Sequence, residues 1–125
     1  MILRVWHGYT TPENADTYEA LLKQEIFHGI ESKDLPGFQG IELLRRKFAE
    51  DEIEFMTIMR FAKLGDVKAF MGDDYEIAYV PEVAQKVLKR FDARSQHYDL
   101  RESRSYTDST ERGRLAAAIG READA

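Results

Sequence analysis

The sequence contains no cysteine. That excludes disulfides, cysteine-bound zinc, iron–sulfur clusters and thiol catalysis. Histidine is scarce too: His7, His28 and His97 are the three in the chain, and no two stand at H-x-H or H-x₃-H spacing. They offer no paired metal ligands. No apolar run approaches the roughly 18 residues of a membrane-spanning helix, so no membrane partner is expected. The opening MILRVWHGYT lacks a basic stretch and alternates where a signal peptide would be continuously apolar. A cytoplasmic protein is the expectation. Basic charge is in deficit, with 18 Lys+Arg against 23 Asp+Glu and a net charge of −5. Phosphate backbones attract basic surfaces, so no nucleic-acid partner is expected.

What remains is ordinary globular material. Hydrophobic residues make up 43% and charged residues 33% of 125 positions, which argues against global disorder. The length suits one domain. Ile2 to Thr10 reads as a strand, with Val5, Trp6 and Tyr9 suited to a pleated surface. Thr11 is a good N-cap, and Pro12 fits the first helical position. Ala15, Tyr18, Leu22 and Ile26 follow on one helical face, and Leu21 and Ile30 widen it. The spacing predicts a helix from Pro12 to about Gly29.

Phe38 to Phe48 and Ile53 to Phe61 read as two strands of a hairpin joined by a polar connection. Leu64 to Met71 reads as a short helix closed by Gly72, and residues 73 to 80 as a compact link. Pro81 opens a predicted helix with Ala84, Val87, Leu88 and Phe91 on one side. Ala93 to Arg101 is the last predicted strand. The order βαββαβ is the ferredoxin-like arrangement, an α+β fold with an antiparallel sheet and helices on one face. The third strand carries Phe55, Met56, Ile58, Met59 and Phe61 on both parities. A bare second face would be a large apolar patch, so a homodimer packed sheet to sheet, a dimeric α+β barrel, is expected. The domain spans 1–102. Residues 103–125 form a C-terminal tail whose large apolar side chains are Tyr106, Leu115 and Ile119. Arg112 to Ala118 suits a short helix. The tail either frays or docks on a partner.

Five separated segments carry a family signature. They are Gly37-Phe38-Gln39-Gly40-Ile41-Glu42-Leu43-Leu44-Arg45-Arg46, Glu54-Phe55-Met56-Thr57, Ala69-Phe70-Met71-Gly72-Asp73-Asp74-Tyr75, Ala78-Tyr79-Val80-Pro81, and Arg90-Phe91-Asp92 with His97-Tyr98. Over residues 1–102 the chain resembles an antibiotic biosynthesis monooxygenase-type domain, in a branch without an assigned reaction. The resemblance implies a dimeric α+β barrel. It also implies a range of activities, from cofactor-independent oxygenases acting on quinols and anthrones to haem degradation and isomerisation. The Asn-Trp-His set of the haem-degrading branch has no match here, so no cofactor is expected.

A cofactor-independent oxygenase needs an aromatic pocket, a base near neutrality, and cationic groups for an oxyanion. Trp6, Tyr75, Tyr79 and Tyr98 are candidate lining. His97 is the candidate base, with His7 as a second, against the plainer reading of a structural hydrogen bond. Arg4 and Arg60 are candidate anion stabilisers, on strands that neighbour each other in this topology. If both point into the barrel they need acidic partners or an anionic ligand, and Glu54 shares the parity of Arg60. Trp6 shares a face with Arg4 and either fills the dimer interface or stacks on a planar ligand. His7 shares its face with Leu3 and Val5 and is placed in the helix-facing layer or its rim.

Other motifs say less. The carboxylates of Asp73, Asp74 and Glu76 lack the loop spacing of a hard-cation site. Gly37 to Gly40 opens a strand, so it lacks the helix N-terminal amides of a phosphate loop. Arg45-Arg46-Lys47 reads as a solvated strand end. Two readings of function follow. One is a cofactor-independent monooxygenase acting on a small aromatic. The other is a carrier or sensor of a small hydrophobic molecule in the same cavity. A dimeric interaction protein with a filled barrel is the plainest third.

Overall fold

β1 (Ile2–Thr10) is the central strand, and its alternation organises the molecule. The computed structural model describes residues 1–106; the predicted helix at 112–118 lies outside them. β2 (Phe38–Ala49) and β3 (Glu52–Phe61) form the central hairpin, and β3 pairs antiparallel with β1 along its whole length. On the other side of β1 sit two short antiparallel strands, β4 (Arg90–Phe91) and β5 (Gln96–Asp99). The sheet order is β2-β3-β1-β4, with β5 also on β1. The architecture is α+β and ferredoxin-like, as the strand and helix order predicts.

The first helix starts as expected. The Thr11 side chain accepts from the Asn14 N–H at 3.2 Å, and Pro12 stands at the first turn. The helix runs as α1 (Pro12–Leu21), a π turn (Leu22–Ile26) and α2 (Phe27–Glu31). Tyr18, Leu22, Ile26 and Ile30 are all buried, each four residues from the last. Four α-helical residues turn about 400°, so such a row drifts about 40° per step. The wider π turn absorbs that drift and keeps the row facing the sheet.

The second half departs from expectation. α3 (Leu64–Met71) forms, but the helix after Pro81 is only α4 (Glu82–Gln85). β1 captures the chain beyond it. Thr10 Oγ1 donates to the Val87 carbonyl at 2.7 Å, the Lys89 N–H donates to the Tyr9 carbonyl at 2.8 Å, and Phe91 pairs with Gly8. Those bonds outweigh the helical periodicity of Val87, Leu88 and Phe91. The last strand is likewise shorter than Ala93–Arg101. Asp92 breaks the row, because its carboxylate accepts from the His7 N–H at 3.0 Å and from Gln96 Nε2 at 3.2 Å.

The core lies between the sheet and the helices. Phe55, Phe61, Val67 and Tyr18 are its most completely buried large side chains. Tyr18 meets Phe55 edge-on, with centroids 5.0 Å apart. Burying a ring such as Phe55 contributes about 1.5–3 kcal/mol. Among the described residues no helix is long and apolar enough to cross a membrane.

Candidate functional site

Strand pleating divides β1 into two sets of side chains. Arg4, Trp6, Gly8 and Thr10 are buried beneath the helices, while Leu3, Val5, His7 and Tyr9 are half-buried on the open face. Arg4 thus enters the core at the middle of the sheet, between Met59 of β3 and His97 of β5. It is 3% exposed.

A buried guanidinium is costly unless its N–H groups are satisfied. Nη1 donates to the Tyr75 carbonyl at 2.6 Å, and Nη2 donates to the Ile77 carbonyl at 2.8 Å. Nη1 also lies 2.9 Å from His97 Nε2. Arginine can only donate, so Nε2 accepts and the His97 proton sits on Nδ1. Nδ1 is buried and has no partner. Burial, then the charge of Arg4, pulls the His97 pKa below the usual histidine value, with Glu76 opposing. Burial brings Arg4 down to about 10, so it stays charged near neutral pH. Among the described residues no carboxylate pairs with it.

Arg4 lines a cavity between the sheet and the first helix. Trp6, Thr57, Met59 and Ser95 stand with it on the strand side, and Tyr18, Leu22, Ile26 and Ile30 form the helix wall. Tyr79, Val80 and Pro81 also line it. The space is narrow: about 40 Å³ admits the centre of a water-sized molecule, within about 490 Å³ of empty space counted out to the open mouth. The smaller figure is what a ligand meets, so a ring enters only if the wall gives. Trp6 is fixed by Nε1, which donates to the Asp92 carbonyl at 2.9 Å. Gly8 makes room for it, because a Cβ there would lie 2.5 Å from Trp6 Cη2. Among the described residues the hydroxyls of Tyr18, Thr57 and Ser95 make no side-chain hydrogen bond. Burial pushes the Tyr18 phenol well above its usual range.

No protein-family profile matches the sequence, and no curated protein matches it. Solved structures do. A Bacillus cereus protein described as a candidate antibiotic biosynthesis monooxygenase superposes with a TM-score of 0.57 at 12% identity, covering 86% of this chain and 98% of that one. The haem degrader MhuD of Mycobacterium tuberculosis, solved with two haems in its active site, gives 0.54 at 15% identity, covering 84% and 100%. The chain shares the α+β fold of these two proteins. Within that fold, the cavity described above lies inside one chain rather than between two sheets.

The sequence-derived site residues separate accordingly. Arg4, Trp6 and Tyr79 line the cavity. Trp6 does not fill a sheet-to-sheet interface, because its parity buries it under the helices. Tyr75 serves through its carbonyl, and its ring stands edge-on to His97 at 5.1 Å. His97 touches Arg4 but is not part of the cavity wall. Arg60 is opposite Leu3, so it lies on the open face away from Arg4. The two arginines do not share a site. Arg60 pairs with Glu42, whereas the expected partner Glu54 pairs with Arg46 and accepts from the Tyr9 hydroxyl at 2.9 Å. His7 also lies on the open face, not the helix-facing layer, with Nδ1 2.7 Å from Asp92 Oδ2. Tyr98 is 56% exposed on the open face and lines nothing. Arg45 and Arg46 are exposed at the strand end but paired, Arg45 with Asp16 and Glu19 of α1. Tyr18, Thr57 and Ser95 carried no sequence signal as site residues. Only their convergence on Arg4's cavity reveals them.

Proposed function

We propose that the protein is a small-molecule oxygenase whose substrate is an electron-rich, ionisable aromatic of quinol or anthrone type. The supporting observation is Arg4, a buried cation without a carboxylate partner in the wall of an apolar and aromatic cavity. A guanidinium held in low dielectric stabilises an anion that forms beside it. A phenol bound there loses its proton more readily, and the resulting anion is the species that gives electrons to oxygen. For an anthrone-type substrate the overall change turns a ring CH₂ into C=O. One atom of O₂ enters the ring and the other leaves as water, so the substrate supplies all four electrons. Trp6 and Tyr79 offer flat surfaces to the ring.

Haem, which the mycobacterial protein holds, does not suit this cavity. The space is narrow, and no histidine lines it. His97, which touches Arg4, has Nε2 engaged by it.

The working unit in this reading is a homodimer. Leu3, Val5, Met56 and Ile58 form an apolar centre on the open face, flanked by exposed Leu44 and Tyr98. A second copy packed on that face would cover it.

The test is oxygen uptake by purified protein with anthrone- and quinol-type substrates in the presence of chelator, alongside titration of tryptophan fluorescence. Trp6 is the single tryptophan, so its emission reports cavity occupancy. Uptake above the uncatalysed rate, lost in Arg4→Gln, supports the reading. Tight binding without uptake assigns the carrier or sensor role instead. No binding by any aromatic rejects both.

A further inference from the structure

We propose that the ligand of this cavity carries a carboxylate, gripped side-on by the Nε–Nη2 edge of Arg4. The proposal rests on the small-molecule reading above and narrows its substrate class. A guanidinium has five N–H donors. Nη1 uses both of its own, on the Tyr75 carbonyl and on His97 Nε2. Nη2 uses one, on the Ile77 carbonyl. The carbonyls of Tyr75 and Ile77 are two residues apart on one strap, and in this proposal they draw on the N–H groups that Nη1 and Nη2 turn towards each other. His97 takes the outer N–H of Nη1. What remains is the N–H of Nε and the N–H of Nη2 beside it. These two are parallel, and that spacing matches the two oxygens of a carboxylate. A lone phenolate oxygen would fill only half of the fork.

The surroundings agree with a two-ended ligand. Thr57 faces Trp6 across the β1–β3 ladder, one pleat repeat along from Arg4 and Met59. That separates the backbone positions of Thr57 and Met59 by about 7 Å along the strand. Tyr18 lies further along, against Phe55. A ring carboxylate seated on Arg4 therefore extends past Trp6 towards Thr57 and Tyr18, with the ionising hydroxyl next to the carboxylate, where the Arg4 charge still acts on it. His97 acts as a positioning residue. It holds Nη1 to one side so that the free edge keeps its direction.

The experiment uses three probes of one ring: 2-naphthoate, 2-naphthol and the neutral 2-naphthamide. Trp6 emission reads their binding. Naphthoate should bind at least about tenfold more tightly than either of the others, because a bidentate charged contact replaces a single one. Arg4→Lys keeps the charge but not the fork, and should shrink that preference to about threefold or less. If Arg4→Lys does not fold, His97 provides a second route. His97→Gln retains an acceptor for Nη1 and should keep the preference, while His97→Leu should lose most of it. Naphthol or naphthamide binding as tightly as naphthoate overturns the carboxylate and leaves the cavity reading standing. So does a preference that survives both Arg4→Lys and His97→Leu. Failure of all three probes while an anthrone or quinol binds also overturns it. Failure of every aromatic removes the underlying reading as well.

Discussion

Arg4 Nη1 and His97 Nε2 lie 2.9 Å apart across the paired strands β1 and β5. The contact locks both partners. The arginine can only donate, so the imidazole must be neutral to accept, with its proton on the buried Nδ1. Protonating His97 would remove the acceptor and set two cations against each other. Tyr75 on the connecting strap packs its ring against the imidazole, so the pair has little room to relax.

Stability should therefore depend on pH through His97. Its folded pKa lies below the ordinary 6.5 because of burial and Arg4. The contribution is complete above 6.5 and is lost as pH falls from there through the lowered folded value. The paired carboxylates of Glu19 and Glu52 are also lowered, but from 4.5, so they act in a more acidic window. Melting temperature should fall as the pH drops below about 6.5, and His97→Gln should flatten that fall. Parallel curves for the two proteins would count against the contact.

Gly8→Ala should damage the site without touching a ligand. The new Cβ would meet Trp6 Cη2 at 2.5 Å, and the indole cannot retreat without losing its bond to the Asp92 carbonyl. Overpacking of this kind costs about 1–3 kcal/mol. Tryptophan emission should shift and aromatic probes should bind less tightly. Unchanged emission and unchanged unfolding would show that the indole moves freely.

Trp6→Ala should weaken a planar ligand by about tenfold, in line with the loss of one aromatic contact and its buried area. Isothermal titration calorimetry is the measurement, since this variant has no tryptophan left to emit. Affinity equal to that of the unmutated protein would place the ring elsewhere.

Ile58→Lys and Met56→Lys should each give a monomer or an aggregate by light scattering. Both side chains are half-buried on the open face, and neither contributes to the core beneath the helices. Phe55→Ala is the contrasting case. It opens the core and should cost about 3–5 kcal/mol whatever the oligomeric state. A monomeric unmutated protein would reject sheet-to-sheet pairing outright.

The fold was legible because its longest elements obey local rules. Thr11 and Pro12 mark a helix start, and two β-rich runs separated by a short polar connection mark the hairpin. The second half was not, because long-range bonds decided it. Nothing near Val87 or Lys89 announces that the Thr10 hydroxyl and the Tyr9 carbonyl will claim their backbone. The π turn left a faint trace in the four-residue spacing of Tyr18, Leu22, Ile26 and Ile30, which also fits an ordinary amphipathic helix. In the site, Arg4 and Trp6 were readable as a pair by parity, but not which side of the sheet they occupy. Arg60 misled for the same reason. Neighbouring strands do not put two residues on one face unless the register does, and the register pairs Arg60 with Leu3.

The alternation of β1 has a consequence for descent. Positions 4 and 6 line the cavity and position 8 makes room for Trp6, while positions 3, 5, 7 and 9 shape the open face. A substitution at one parity acts first on its own face, and Asp92, which contacts both Trp6 and His7, is the point where the two sets meet. Lineages of this strand can drift towards new chemistry while keeping their outer face constant, or exchange outer faces while keeping their chemistry. Nine residues thus hold two heritable traits that selection can tune separately.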